Sequence, residues 1–170
     1  KLAFYSIIIP DGPLTAQLCH ITVGDRVILR PKTTGTLVLD TLIPGKRLFL
    51  LSTGTGFAPF ASLIRDPETY AIFDQVIVTH TCRNREDLGF SQHIIKAATT
   101  HPLIGAEIAP HLTYYPSLTR ESFKHQGRIT AALKSGKLFN DLQIPTLDPK
   151  NDRVMICGSM ALNQDVAAYL

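Results

Sequence analysis

Hydrophobic positions along this chain follow two rhythms, which change near residue 45. Before that point the apolar runs are short and rich in β-branched and aromatic residues: LAFYSIII at 2–9, a run at 26–29 and LVLD at 37–40. Turn chemistry separates them, in Pro10-Asp11-Gly12-Pro13, in Gly24-Asp25 and across 31–35. Such spacing predicts short strands of an antiparallel barrel rather than half of a βαβ unit. One short helix is predicted over 14–19, because Pro13 suits a first helical position and Gly12 precedes it.

After Pro44-Gly45, strand-like runs alternate with helix-like ones. KRLFLLS, QVIVTHT, LTYYPSL and RVMICG are each followed by a helical pattern, at 59–64, 86–98, 129–133 and from 160 onward. Four strand-then-helix repeats predict a parallel sheet covered on both faces. The expected fold class is therefore an α/β domain, a doubly wound parallel sheet, preceded by part of an antiparallel β-barrel. Residues 1–45 are assigned to the barrel and 46–170 to the α/β domain. Segments 105–110 and 140–152 read as loops. Both ends read as cut, since Lys1 stands where an initiator Met would and Tyr169-Leu170 falls inside a helical pattern without a stop signal.

Composition narrows the chemistry. A net charge of +3, with Lys and Arg scattered rather than clustered, argues against a nucleic-acid partner. Three cysteines far apart in sequence and six histidines without H-E-x-x-H spacing argue against a disulfide framework or a metal site. The longest apolar stretch, 48–64, is interrupted by Gly54, Gly56 and Pro59, so no membrane span is expected. A cytoplasmic monomer is the resulting expectation.

In a doubly wound sheet, ligands bind beyond the carboxyl ends of the strands, where strand order reverses. The segment STGTGFAPF follows the first strand. Gly54 and Gly56 permit a tight turn and a close backbone approach to a phosphate, although the third glycine of the usual dinucleotide pattern is absent. The second strand ends in Cys82-Arg83 instead of an acidic residue. A carboxylate there would bind a ribose 2′-hydroxyl, whereas Arg83 suits a 2′-phosphate, so NADP is expected over NAD. Thr119-Arg120 after the third strand, and Arg128 soon after it, add cations that bind the same phosphate or stack on adenine. Taken singly, each arginine also fits an ordinary solvated surface charge.

The fourth strand ends in Cys157-Gly158-Ser159, with Ser159 placed to cap the next helix. If the first and fourth strands flank the switch point, Cys157 and Thr55 face one another across the crevice. Cys157 is then a candidate to position a nicotinamide ring. Its other reading is a buried structural thiol.

In combination, FYSIIIPDGPLT, GTGFAPF, THTCR, TRE, GRIT and CGSMALNQDV resemble the bacterial ferredoxin (flavodoxin)-NADP reductases over almost the whole chain. GTG-x-x-P and CG-S are shared with many flavin reductases, and the remaining motifs narrow the match. The resemblance implies FAD and NADP(H) as cofactors and ferredoxin or flavodoxin as partner. It implies that Tyr5, Ser6, Ile7 and Ile8 border the flavin, that Gly12, Pro13, Leu14 and Thr15 hold its pyrophosphate, and that Thr55 approaches it from the second domain. It further implies that Cys82, Arg83, Thr119, Arg120 and Arg128 contact the NADP adenosine and 2′-phosphate. By the same resemblance, Gly158, Ser159, Met160, Ala161 and Asp165 are expected to line the cofactor at the last helix.

The family's R-x-Y-S flavin motif falls before Lys1 and its C-terminal tail falls beyond Leu170, so tight FAD binding is not expected of these 170 residues alone. Two other readings remain open at this point. One is a reductase component serving an oxygenase or another iron-sulfur protein, and the other is an NADP-binding module without turnover.

Overall fold

The computed structural model describes residues 4–28, 31 and 35–170. The chain divides into two compact units, Lys1–Thr36 and Leu37–Leu170. Division by compactness thus falls before residue 45, because Leu39 joins the core of the second unit and Leu37 and Leu42 pack against that core.

In the first unit the described residues form one short helix, α1 (Thr15–Leu18), and no strand. This corrects the barrel strands expected at 2–9 and 26–29; Leu2, Ala3 and Leu29 lie outside the described residues. The run LVLD likewise is not a strand, since Leu39–Thr41 form a 3₁₀ turn. The helix falls where the sequence placed it, but Leu14 is the N-cap, so Pro13 precedes the cap instead of occupying the first turn. Thr15 closes the preceding turn: its Oγ1 accepts from the Ile9 amide at 3.0 Å, and the Gly12 amide donates to the Ile9 carbonyl at 2.9 Å.

The second unit is a four-stranded parallel sheet. Its strands are β1 (Arg47–Thr53), β2 (Gln75–Cys82), β3 (Leu112–Leu118) and β4 (Asp152–Cys157), in the order β3-β2-β1-β4. β1 and β2 are almost continuously buried, as expected of central strands covered on both faces. On one face, Leu48, Leu50, Val76, Val78 and Met155 pack against α2 (Ala58–Leu63), α3 (Pro67–Ile72), α4 (Gly89–Thr99) and α5 (Gly105–Ile108). On the other, Phe49, Leu51, Ile77 and Tyr115 meet α6 (Ile129–Lys134), α7 (Lys137–Leu142) and α8 (Met160–Ala167). Alternation along β1 sends successive side chains to opposite cores.

Three helices lie outside the sequence expectation. α3 opens at Asp66, whose carboxylate accepts from the Glu68 amide at 3.0 Å, with Pro67 next. α5 supplies a single turn within the segment read as a loop, and α7 runs from Gly136 into the start of the other. At the amino end of the sheet, Arg47 and Asp152 form a buried ion pair that fastens β1 to β4 in register.

Candidate functional site

Strand order sets the location. From β1 the chain adds β2 and then β3 on one side, and β4 returns to the other side of β1. The switch point therefore lies between the carboxyl ends of β1 and β4, where the turn Gly54–Phe57 and the segment 157–159 emerge side by side.

These two segments are in backbone contact. A side chain on Gly56 would place its Cβ 2.1 Å from the Cys157 carbonyl oxygen, so only hydrogen fits. Gly54 adopts φ +51°, the left-handed region that glycine enters freely. The Ser159 amide donates to Thr53 Oγ1 at 3.0 Å, and Ser159 Oγ accepts from the Leu162 amide at 3.2 Å, capping α8. Thr53, which the sequence places at the start of the glycine loop without a role of its own, thus joins the two loops.

Gly54 through Phe57 form a 3₁₀ turn that runs into α2, with Pro59 in the first helical turn. The turn leaves backbone amides without intrahelical acceptors at the switch point. Cys157 is half-buried and burial pushes its thiol pKa up, which leaves it neutral and unsuited to nucleophilic attack. Thr55 lies in the same turn. Met160 and Ala161 are exposed at the start of α8, while Asp165 sits farther along the helix and pairs with Lys134 at 3.9 Å. Asp165 thus lies on the side of α8 that faces Lys134 of α6.

The arginines gather at the carboxyl ends of β2 and β3. Hydrogen bonding continues past both strands, from the Thr119 amide to the Cys82 carbonyl at 3.0 Å and from the Arg120 amide to the Arg83 carbonyl at 3.1 Å. Arg83 and Arg120 are consequently adjacent. The loop then returns: the Gly127 amide bonds the Leu118 carbonyl at 2.8 Å, and Arg128 becomes the N-cap of α6. All three arginines are exposed, and among the described residues no carboxylate pairs with them.

Arg85 differs. Its amide meets Glu121 at 3.2 Å and its guanidinium lies 5.1 Å from the Phe123 ring, so it braces the loop. The nearby Asp87 carboxylate is committed to a capping box with Asn84. A cavity of about 200 Å³ opens beside Arg128, lined also by Ser117, Gly127 and Lys137. A larger one, about 510 Å³, lies between α4 and β3.

Beneath the glycine turn lies a polar group to which the sequence reading gave no individual role. His80 is fully buried, its Nε2 2.8 Å from the Gly54 carbonyl and its Nδ1 2.8 Å from Ser91 Oγ. Burial lowers its pKa, favouring the neutral ring. Cys82 points its thiol inward, 3.2 Å from His80 Nε2, and burial raises that thiol pKa to about 12.

A parallel sheet of this order, with a glycine turn at the switch point and unpaired cations at neighbouring strand ends, defines a nucleotide-binding oxidoreductase domain. The chain belongs to the oxidoreductase NAD-binding domain family, whose model matches residues 50–168.

Among individual proteins, it is 55% identical over 170 residues to the flavodoxin/ferredoxin–NADP reductase of Rhodobacter capsulatus, covering all of this chain and 63% of that protein. It is 50% identical over 169 residues to ferredoxin–NADP reductase A of Sorangium cellulosum, covering 99% of this chain and 61% of that one. A crystal structure of a ferredoxin NADP+ reductase from Neisseria gonorrhoeae with bound FAD and NADP matches with a TM-score of 0.81 at 30% identity, over 95% of this chain and 62% of that one. The chain thus spans less than two thirds of the length of these relatives.

Proposed function

We propose that this chain is the NADP-binding part, with a portion of the flavin-binding part, of a ferredoxin (flavodoxin)–NADP reductase. The observation that carries this reading is the placement of Arg83, Arg120 and Arg128. Three exposed guanidiniums, without carboxylate partners among the described residues, follow adjacent strands, where a dinucleotide bound at the switch point extends its adenosine. Two nearby carboxylates are already engaged in the loops, Asp87 by the Asn84 amide and Glu121 by the Arg85 amide. A 2′-phosphate supplies the missing negative charge, which favours NADP over NAD.

The residues divide the work along the nucleotide. Arg83 and Arg120, with Thr119 between the strand ends, grip the 2′-phosphate, and Arg128 with the cavity beside it takes the adenosine. The amides of Gly54–Phe57 receive the pyrophosphate end, and Gly56 lets the two loops close without a side chain between them. Gly158, Ser159, Met160 and Ala161 carry the opposite wall. Cys157, neutral and half-buried, supplies a polarizable surface for the nicotinamide and holds no proton that the reaction needs.

In the first unit, Tyr5, Ser6, Ile7 and Ile8, with the Gly12–Thr15 turn closed by Thr15 on Ile9, are the residues that would border FAD. FAD, when bound, supplies the exchange between single electrons and a hydride. The protein's share is to orient the reacting rings and keep water from them. Ferredoxin or flavodoxin is the proposed electron-carrier partner, and the cytoplasm the proposed location.

The test is turnover in the full-length, FAD-loaded protein. NADPH is expected to drive reduction of ferredoxin, followed by its visible absorbance, far faster than NADH does. Equal rates with the two nucleotides, or no ferredoxin reduction while FAD is bound, would overturn the reading.

A further inference from the structure

The polar chain under the glycine turn joins four parts of the second unit. Tyr114 Oη on β3 lies 2.6 Å from Ser91 Oγ on α4; Ser91 Oγ lies 2.8 Å from His80 Nδ1 on β2; and His80 Nε2 lies 2.8 Å from the Gly54 carbonyl. Every distance is that of a hydrogen bond, and the ring is sealed from solvent by Phe57, whose centroid is 5.0 Å away.

Donor directions follow from chemistry. A carbonyl only accepts, so Nε2 carries the proton and donates to Gly54. In a neutral ring Nδ1 is then an acceptor and takes the Ser91 hydroxyl proton, while the Ser91 oxygen accepts from Tyr114. Ser91 Oγ also lies 2.9 Å from the Leu88 carbonyl, an acceptor that would compete for its proton. The Gly54 carbonyl thus fixes the tautomer, and the Ser91 hydroxyl proton given to Nδ1 reinforces it.

The Gly54 carbonyl belongs to the Gly54–Thr55 peptide. In a planar trans peptide the carbonyl and the following N–H point in opposite directions. With the carbonyl drawn down to His80, the Thr55 N–H points up and out of the core, at the switch point between β1 and β4. The left-handed φ of Gly54 is the conformation that permits this peptide orientation.

We propose that His80 is a positioning residue that aims the Thr55 amide at the pyrophosphate–nicotinamide half of the bound nucleotide. This rests on the reading that NADP crosses the crevice, and it separates two halves of the site. The arginines hold the adenosine end whether or not His80 is present. The glycine turn holds the other half only while its peptide is fixed from below.

The experiment compares NADPH with 2′,5′-ADP, which occupies only the arginine end, by calorimetry on this chain and three variants. Unmodified chain is expected to bind both, and failure to bind either would refute the NADP reading itself. His80→Phe keeps a ring against Phe57 and removes the donor. It is expected to weaken NADPH about tenfold, the size of one buried hydrogen bond, while 2′,5′-ADP stays within about twofold.

His80→Gln returns an N–H donor at similar reach and is expected to recover most of the loss. Ser91→Ala leaves His80 in place but removes the hydroxyl that reinforces its tautomer, so it is expected to weaken NADPH about threefold with 2′,5′-ADP unchanged. That variant carries the test if His80→Phe fails to fold. NADPH affinity unchanged in a folded His80→Phe or in Ser91→Ala, equal loss for both ligands, or no recovery in His80→Gln would overturn the assignment.

Discussion

Replacing Asp152 by Asn is expected to destabilise the second unit by about 3–5 kcal/mol, the cost of stranding one partner of a buried ion pair. Arg47 and Asp152 are 9% and 7% exposed, and Arg47 Nε donates to Asp152 Oδ1 at 2.6 Å. Arg47 Nη2 donates to Asp152 Oδ2 and to the Thr146 carbonyl, the latter at 2.9 Å, Nη1 donates to the Pro145 carbonyl at 2.9 Å, and Asp152 Oδ2 also accepts from the Asp148 amide at 2.8 Å. An amide at 152 removes the charge and turns one acceptor into a donor facing a guanidinium.

The consequence reaches the site. Arg47 and Asp152 are register partners at one end of the β1–β4 ladder, and Ser52 and Cys157 are partners at the other. A ladder loosened at its start loses the alignment that brings the Gly54 turn against Cys157. Urea denaturation followed by circular dichroism measures the effect, and a loss below about 1 kcal/mol would mean that the pair behaves as an exposed one. Removing both charges together, as Arg47→Met with Asp152→Leu, is expected to recover much of the stability, since no stranded ion remains.

The second large effect falls on nucleotide choice. Arg120→Ala is expected to weaken NADP by about 1–3 kcal/mol, and Arg83→Ala by a similar amount, each losing a charge-assisted bond to the 2′-phosphate. Their backbones are hydrogen-bonded to one another at 3.1 Å, so the two side chains start from neighbouring positions. The double variant is expected to lose about 2–5 kcal/mol without strict additivity. NAD lacks the phosphate, and its affinity is expected to change by less than about 0.5 kcal/mol on the same argument. Calorimetry with both nucleotides reads the difference. Equal weakening of NADP and NAD would remove the arginines from 2′-phosphate recognition.

The α/β half was legible because its strands are apolar runs ended by glycine or arginine, and because every candidate ligand position follows a strand. Parallel pairing then brought Arg83 beside Arg120, as the loop positions implied. The first third was less legible. Ile7, Ile8 and Ile9 are β-branched and were read as a strand, but such a run records fitness for a sheet, not the presence of a pairing strand. In the described residues of that unit those side chains remain exposed.

α7 went unseen for another reason. Its end is set by Gln143 at φ 55°, in the left-handed region usually marked by glycine or asparagine. Asp165 was drawn to the nucleotide by its place in a motif, yet the helical phase of α8 turns it to Lys134. His80 could be read as buried from its strand, but its partners come from the turn after β1 and from α4, where Ser91 in turn meets Tyr114 of β3. No local pattern joins those segments; only the fold does.

The central claim is a site for the 2′-phosphate formed by Arg83 and Arg120, with Arg128 at the adenosine. The most direct measurement is a calorimetric titration of this chain with NADP and, separately, NAD at moderate salt, with its fold checked by circular dichroism. NADP is expected to bind at least about tenfold more tightly, the equivalent of one charge-assisted hydrogen bond. Equal affinity for the two nucleotides, or binding of neither by a folded chain, would contradict it.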